Sequence, residues 1–185
     1  MHTLFIIILF LLPPAYLLYL IFIYARTKVP YVITPKKRLP LILEHMHINS
    51  QSVIYDLGCG KADILFAAEK FHPKKLIGFE LSPLHVWYAQ IKAWVFKSQV
   101  QVHCRDFFTV DITEATLIYI FSVQSVVEKM WIKIQKEAKP GTKVFVLSNT
   151  IPGIHGEYIA SMKNGSALPG GLYIYTVGAT TPADK

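Results

Sequence analysis

An aspartate followed by two closely spaced glycines sets the chemistry of this chain. The stretch is Val53-Ile54-Tyr55-Asp56-Leu57-Gly58-Cys59-Gly60-Lys61-Ala62-Asp63. Its first three residues favour a buried strand. Gly58 and Gly60 let the backbone turn sharply and leave no Cβ in the way of a ligand. Ile64-Leu65-Phe66-Ala67-Ala68 then continues as an apolar helix. A strand, a glycine loop and a helix in this order present backbone N–H groups to a small molecule. Two phosphate-binding patterns are excluded. The dinucleotide fingerprint needs a third glycine where Asp63 stands, and the P-loop needs Ser or Thr where Ala62 follows Gly60-Lys61. Asp56 would repel a phosphate and suits a cationic ligand. A second acid, Glu80, ends Leu76-Ile77-Gly78-Phe79-Glu80, where a βαβ unit places one.

Apolar periodicity supplies the elements that must position these residues. Residues 35–48 predict a helix with Leu39, Ile42, Leu43 and Met46 on one face, Thr34 as its N-cap and Pro35 at its first position. Strands follow at 52–56 and 75–80, separated by a helix over 62–71. Ser82 and Pro83 open a helix reaching about residue 97, with Val86, Ala89, Ala93 and Phe96 at helical spacing. Trp87 and Trp94 lie seven apart on one face and are read as packing residues. A third strand at 99–103 ends in Cys104-Arg105-Asp106. Residues 115–121 and 142–147 predict two more strands around a helix over 122–138, which Pro140-Gly141 stops. Pro152-Gly153, Asn164-Gly165 and Pro169-Gly170-Gly171 mark turns. Segments near 154–161 and 172–177 are expected to form an antiparallel edge. Alternating strands and helices predict an α/β fold with helices on both faces of a largely parallel sheet. Ligands then bind at the strand C-termini, where the strand order switches. Asp56, Glu80 and Asp106 are all predicted at such ends.

Composition sets the setting. The chain has 185 residues, 52% hydrophobic, and a net charge of +7. Arg26, Lys28, Lys36, Lys37 and Arg38 supply five charges with no acid among them, whereas from Leu41 onward 14 basic residues face 12 acidic ones. A local excess beside an apolar segment is the placement of a juxtamembrane cluster, not of a nucleic-acid-binding face. Residues 4–25 carry no charge. As a helix they extend ~33 Å, enough to cross a bilayer core. Pro13-Pro14 in their middle is tolerated in a membrane helix. A cleaved signal peptide would need a basic start and a small-residue cleavage site, and neither is present. The expected organisation is an anchor at 1–25, a basic linker at 26–34 and a catalytic domain at 35–185. The positive flank places that domain on the cytoplasmic side, at the inner membrane in a bacterium. Cys59 and Cys104 are too few for a disulfide framework and read as free thiols. No Cys/His spacing suggests a metal.

Asp56-Leu57-Gly58-Cys59-Gly60 with Glu80 resembles the class I S-adenosylmethionine-dependent methyltransferases. Three stretches narrow the likeness: Pro30-Tyr31-Val32-Ile33-Thr34, the glycine loop, and Gly78-Phe79-Glu80-Leu81-Ser82-Pro83. With Arg105-Asp106-Phe107 they are similar to the membrane-anchored lysine methyltransferases of the ATP synthase c-subunit and adenine nucleotide translocase type and their bacterial relatives. The resemblance covers roughly residues 5 to 150. It implies a Rossmann-like seven-strand sheet preceded by one transmembrane helix. It also implies that Asp56, Gly58, Cys59 and Gly60 wrap the methionine part of S-adenosyl-L-methionine, that Glu80 takes the ribose hydroxyls and that Asp106 takes the adenine amino group. Tyr31, Thr34 and Ser122 are candidates for lining an acceptor channel. The implied partners are the bilayer and a membrane-protein lysine, with no nucleic acid. A lipid or quinone methyltransferase and a non-catalytic cofactor-binding scaffold are the alternatives. Lys61-Ala62 stand where the family has Asp-Gly, and Ile33 where it has proline. Ala62 is accommodated where its φ is negative. After the fourth strand, Ile120-Phe121-Ser122-Val123-Gln124 lacks the Asn/Asp-Pro-Pro-Tyr motif of amide and nucleobase-amine methyltransferases.

Overall fold

The computed structural model describes residues 2–27, 29–159 and 170–179. The chain divides into two compact units, Met1–Tyr31 and Val32–Lys185. The first is built on helix α1 (His2–Thr27), which contains Pro13 and Pro14. Its segment Leu9–Thr27 is long and apolar enough to cross a membrane, and none of it is buried against protein.

In the second unit a turn of 3-10 helix at Lys36–Arg38 leads into α2 (Leu39–Met46). There follow β1 (Val53–Leu57), α3 (Asp63–Ala68), β2 (Lys75–Glu80), α4 (Pro83–Val95) and β3 (Val100–Cys104). The remainder is β4 (Leu117–Ile120), α5 (Gln124–Glu137), β5 (Lys143–Leu147), β6 (Glu157–Ile159) and β7 (Leu172–Thr176). The strands form one seven-stranded sheet in the order β3-β2-β1-β4-β5-β7-β6. The first five are parallel, and β7 runs antiparallel to both β5 and β6. The expected α/β sheet and its antiparallel edge are therefore present. The expected turn at Asn164-Gly165 lies outside the described residues.

Strand alternation explains why both faces are apolar. Val53, Tyr55 and Leu57 of β1 join Ile118 and Ile120 of β4 in one core, which α5 covers with Val127, Met130, Trp131 and Ile134. Ile54, Leu117 and Phe145 point the other way, into a core that α2, α3 and α4 cover. The switch in strand order falls between β1 and β4. There Asp56 is in register with Tyr119 on one side and Gly78 on the other.

Three expectations need correction. Thr34 does not cap a helix: the first turn has no side-chain cap, and the Thr34 hydroxyl pairs with the Tyr119 hydroxyl at 3.1 Å. Arg38 is not part of an exposed basic cluster; it is 3% exposed. It caps the start of α2, one turn before Ile42 and two before Met46, in line with that helix's buried face. Trp87 and Trp94 do not pack into the core. They are 63% and 81% exposed, because α4 meets the sheet through Val86 and Ala89 instead.

Candidate functional site

The glycine loop leaves β1 in a conformation that its sequence permits at two positions and resists at a third. Gly58 and Gly60 have φ of 89° and 52°. These left-handed values are open to glycine without a steric penalty. Ala62 has a φ of 60° and is fully buried. Its φ is not the negative value that would accommodate the methyl freely, so the loop carries left-handed strain of about 1–2 kcal/mol there.

The loop is folded back onto the end of β2. Gly58 and Cys59 both donate their backbone N–H to the Phe79 carbonyl, at 2.9 and 3.0 Å. Cys59 then presses on Gly78, where an added Cβ would stand 2.6 Å from the Cys59 sulfur. Gly60 donates its N–H to Glu80 Oε2 at 2.8 Å, and Ser82 donates its own to Glu80 Oε1 at 2.8 Å. One carboxylate thus joins the glycine loop to the start of α4. Each of its oxygens keeps a further acceptor site.

Charge around the loop is predominantly negative. Asp56 is buried, and burial, Glu80 and Asp63 push its carboxyl well above the usual carboxylate range. Asp63 is itself 3.9 Å from the Lys92 ammonium. Burial, then Asp56 and Glu80, push the Cys59 thiol up. The Lys61 ammonium sits over the Tyr88 ring, 5.0 Å from its centroid. Burial and Lys61 lower the His85 pKa to about 4, so that imidazole adds no positive charge at neutral pH. Among the described residues no group of three or more His, Cys, Asp and Glu side chains is arranged to hold a metal.

The other expected residues fall in different places. Asp106 follows β3, and its carboxylate accepts the Phe108 N–H at 2.9 Å, opening a turn of 3-10 helix. Ser122 follows β4, and its carbonyl accepts a hydrogen bond from the Asn149 side chain, which ties the ends of β4 and β5. Thr34 reaches Tyr119, the register partner of Asp56. Tyr31 belongs to the other unit. Asp56, Glu80, Asp106 and Ser122 therefore share the C-terminal edge of the parallel strands. Sequence reading missed Tyr119 and Arg38. Burial, then Asp56, push the Tyr119 hydroxyl up, while its bond to Thr34 and the Arg38 charge act the other way. The helical spacing of Arg38 to Ile42 and Met46 was the signal available for it.

A loop and two strand-end acids of this kind occur in a known family. The family profile described as the ANTKMT methyltransferase domain matches residues 56–157, from Asp56 to the start of β6. This chain belongs to that family. The methyltransferase is 33% identical over 153 residues to a protein-lysine N-methyltransferase of Saccharolobus islandicus, covering 81% of this chain and 94% of that one. It is 28% identical to the ATP synthase c-subunit lysine N-methyltransferase of Xenopus laevis, covering 69% of this chain and 59% of that protein. The chain thus spans less than two thirds of the Xenopus relative's length. Among solved structures, an RNA methyltransferase of Salinibacter ruber in complex with S-adenosyl-L-homocysteine superposes with a TM-score of 0.72 at 25% identity, covering 83% of this chain and 98% of that one.

The cofactor is S-adenosylmethionine, and the loop suits it. Asp56, Asp63 and Glu80 create a negative field that a cationic sulfonium and ammonium would relieve. Gly58 would meet nothing within 4 Å if it carried a Cβ, so its outer side is open to a ligand.

Proposed function

We propose that this methyltransferase transfers a methyl group to the ε-amine of a lysine on a membrane protein, and that α1 anchors it in the same bilayer. Thr34 is the observation that carries the reading. It lies seven residues beyond the end of α1, and its hydroxyl meets Tyr119 beside Asp56. The segment that follows the apolar helix is thereby part of the wall around the strand switch. The lysine acceptor comes from the activities for which the Saccharolobus and Xenopus relatives are named.

In this reading Gly58, Cys59 and Gly60 border the methionine part of the cofactor, Glu80 accepts from the ribose hydroxyls and Asp106 from the adenine amino group. Asp56 holds negative charge near the cationic end. The bound cofactor supplies a methyl group already activated on a positively charged sulfur. The protein's work is then alignment and removal of water; orientation alone supplies up to ~7–11 kcal/mol in ideal systems. A lysine must arrive without its proton. Desolvation favours the neutral amine. Thr34 and Ser122 line the acceptor side. Arg26, Lys36 and Lys37 are exposed and keep the domain on the cytoplasmic face, while Arg38 drops out of that cluster.

The test is to incubate membranes with methyl-labelled S-adenosylmethionine and identify what carries the label. Label on a lysine of an integral membrane protein is expected. Label in extractable lipid or quinone overturns the lysine reading, and label in RNA overturns both the acceptor and the charge argument.

A further inference from the structure

α4 carries an apolar stripe that is left exposed among the described residues. Trp87, Tyr88, Ile91, Trp94 and Val95 are all at least 39% exposed. Their spacing of three and four residues puts them on one helical face. The opposite face already supplies the packing through Val86 and Ala89. The stripe therefore costs solubility without contributing to the core, and an exposed apolar patch of this kind marks an interaction surface.

We infer that this face of α4 lies in the interface of an anionic phospholipid bilayer. Its chemistry selects lipid. Two tryptophans and a tyrosine are the side chains that prefer the headgroup boundary. Charge is complementary to anionic lipid: between Glu80 and Asp106 the chain has Lys92, Lys97 and Arg105 and no acid. Lys61 adds a further cation against the stripe itself, over the Tyr88 ring. Lys92 turns to the flank, toward Asp63 and the face of Phe66. An apolar helical face beside basic residues lies in the plane of a membrane surface, held by apolar burial and headgroup attraction together.

The inference rests on the reading of α1 as an anchor. Residues 28–35 join α1 to the first turn of the domain. Eight residues reach at most ~26–29 Å. A bilayer that holds α1 is thus within reach of the domain. α4 starts three residues after Glu80, so a face seated on lipid would fix the height of the cofactor loop above the membrane.

The experiment uses the full chain, reconstituted in vesicles of phosphatidylcholine and phosphatidylglycerol whose acyl chains are brominated near the headgroup. Trp131 is buried, so emission lost in a Trp87→Ser/Trp94→Ser variant reports the stripe. Bromolipid is expected to quench most of that component, with less quenching when phosphatidylglycerol is omitted. Alkaline extraction of the same vesicles checks α1. Retention in the membrane with both tryptophans unquenched overturns the interfacial face and leaves the anchor standing. Release into the wash overturns the anchor and this inference with it. Unquenched tryptophans that cross-link to a second copy, or to a membrane protein, replace lipid as the occupant.

Discussion

Gly60 donates its backbone N–H to Glu80 Oε2 at 2.8 Å, so the residue expected to recognise a ribose also holds the glycine loop in place. Glu80→Ala therefore removes a ligand contact and a loop constraint together. The loss in S-adenosylmethionine affinity is expected to reach at least ~1.5–3 kcal/mol, the scale of a hydrogen bond to a charged group. Glu80→Gln keeps one acceptor oxygen and loses less. Calorimetry with the cofactor and its demethylated product measures both. Equal affinity in the Ala variant would remove Glu80 from the site.

Asp56 predicts a trade between stability and binding. Burial first, then Glu80 and Asp63, raise its pKa. A carboxyl raised in the fold contributes stability that is complete below the ordinary carboxylate range and is lost as pH rises through the raised value. Asp56→Asn abolishes that loss. Without ligand the variant should melt higher than the parent at neutral pH, by about 2–4 °C for each kcal/mol recovered. The two should converge in acid. With S-adenosylmethionine present the order should reverse, because the variant lacks the anion. Thermal scans with and without cofactor decide it, and a lower neutral-pH melt without ligand contradicts the electrostatic account.

The Thr34–Tyr119 pair is buried at both ends. Either Tyr119→Phe or Thr34→Val leaves a hydroxyl without its partner, at about 1–3 kcal/mol. The double variant should cost less than the sum, with a coupling of about 0.5–3 kcal/mol. Denaturant unfolding of the four proteins tests this, and strict additivity would mean that the pair contributes nothing.

At Ala62 the backbone φ of 60° leaves little latitude. Ala62→Gly should stay within about 1 kcal/mol of the parent, since relief of left-handed strain offsets the flexibility that glycine adds to the unfolded chain. Ala62→Val should lose at least ~2 kcal/mol, because a branched side chain adds strain in this region and overpacks a site with no exposed surface. Melting curves of the two variants give the comparison.

Much of this fold was legible from periodicity alone. The β-forming run Val53-Ile54-Tyr55 and the acids at Asp56 and Glu80 put two strand ends side by side, and β1–β2 pairing bears that out. What escaped was orientation set by tertiary contacts. Lys36-Lys37-Arg38 reads as one charged run, yet the turn that begins α2 rotates Arg38 inward and leaves its neighbours exposed. Thr34 has the chemistry of a cap, but Tyr119, 85 residues away, supplies a buried partner that no local pattern reveals. Trp87 and Trp94 share a face by spacing, and spacing alone does not say which face of a helix meets the sheet. The roles assigned to Asp106 and Ser122 are of the same kind. Their strand ends were readable; the hydrogen bonds they accept from Phe108 and Asn149 were not.

Burial of Cys59 turns the glycine loop into its own timer. The chain has two cysteines, both free; Cys104 is exposed and Cys59 is buried with its thiol pKa raised. A thiol that is neither ionised nor accessible reacts with an alkylating reagent when its cover lifts. In a Cys104→Ser background the rate of alkylation, at reagent concentrations where it no longer rises, would measure how often the loop opens, with no cofactor, acceptor or membrane in the assay.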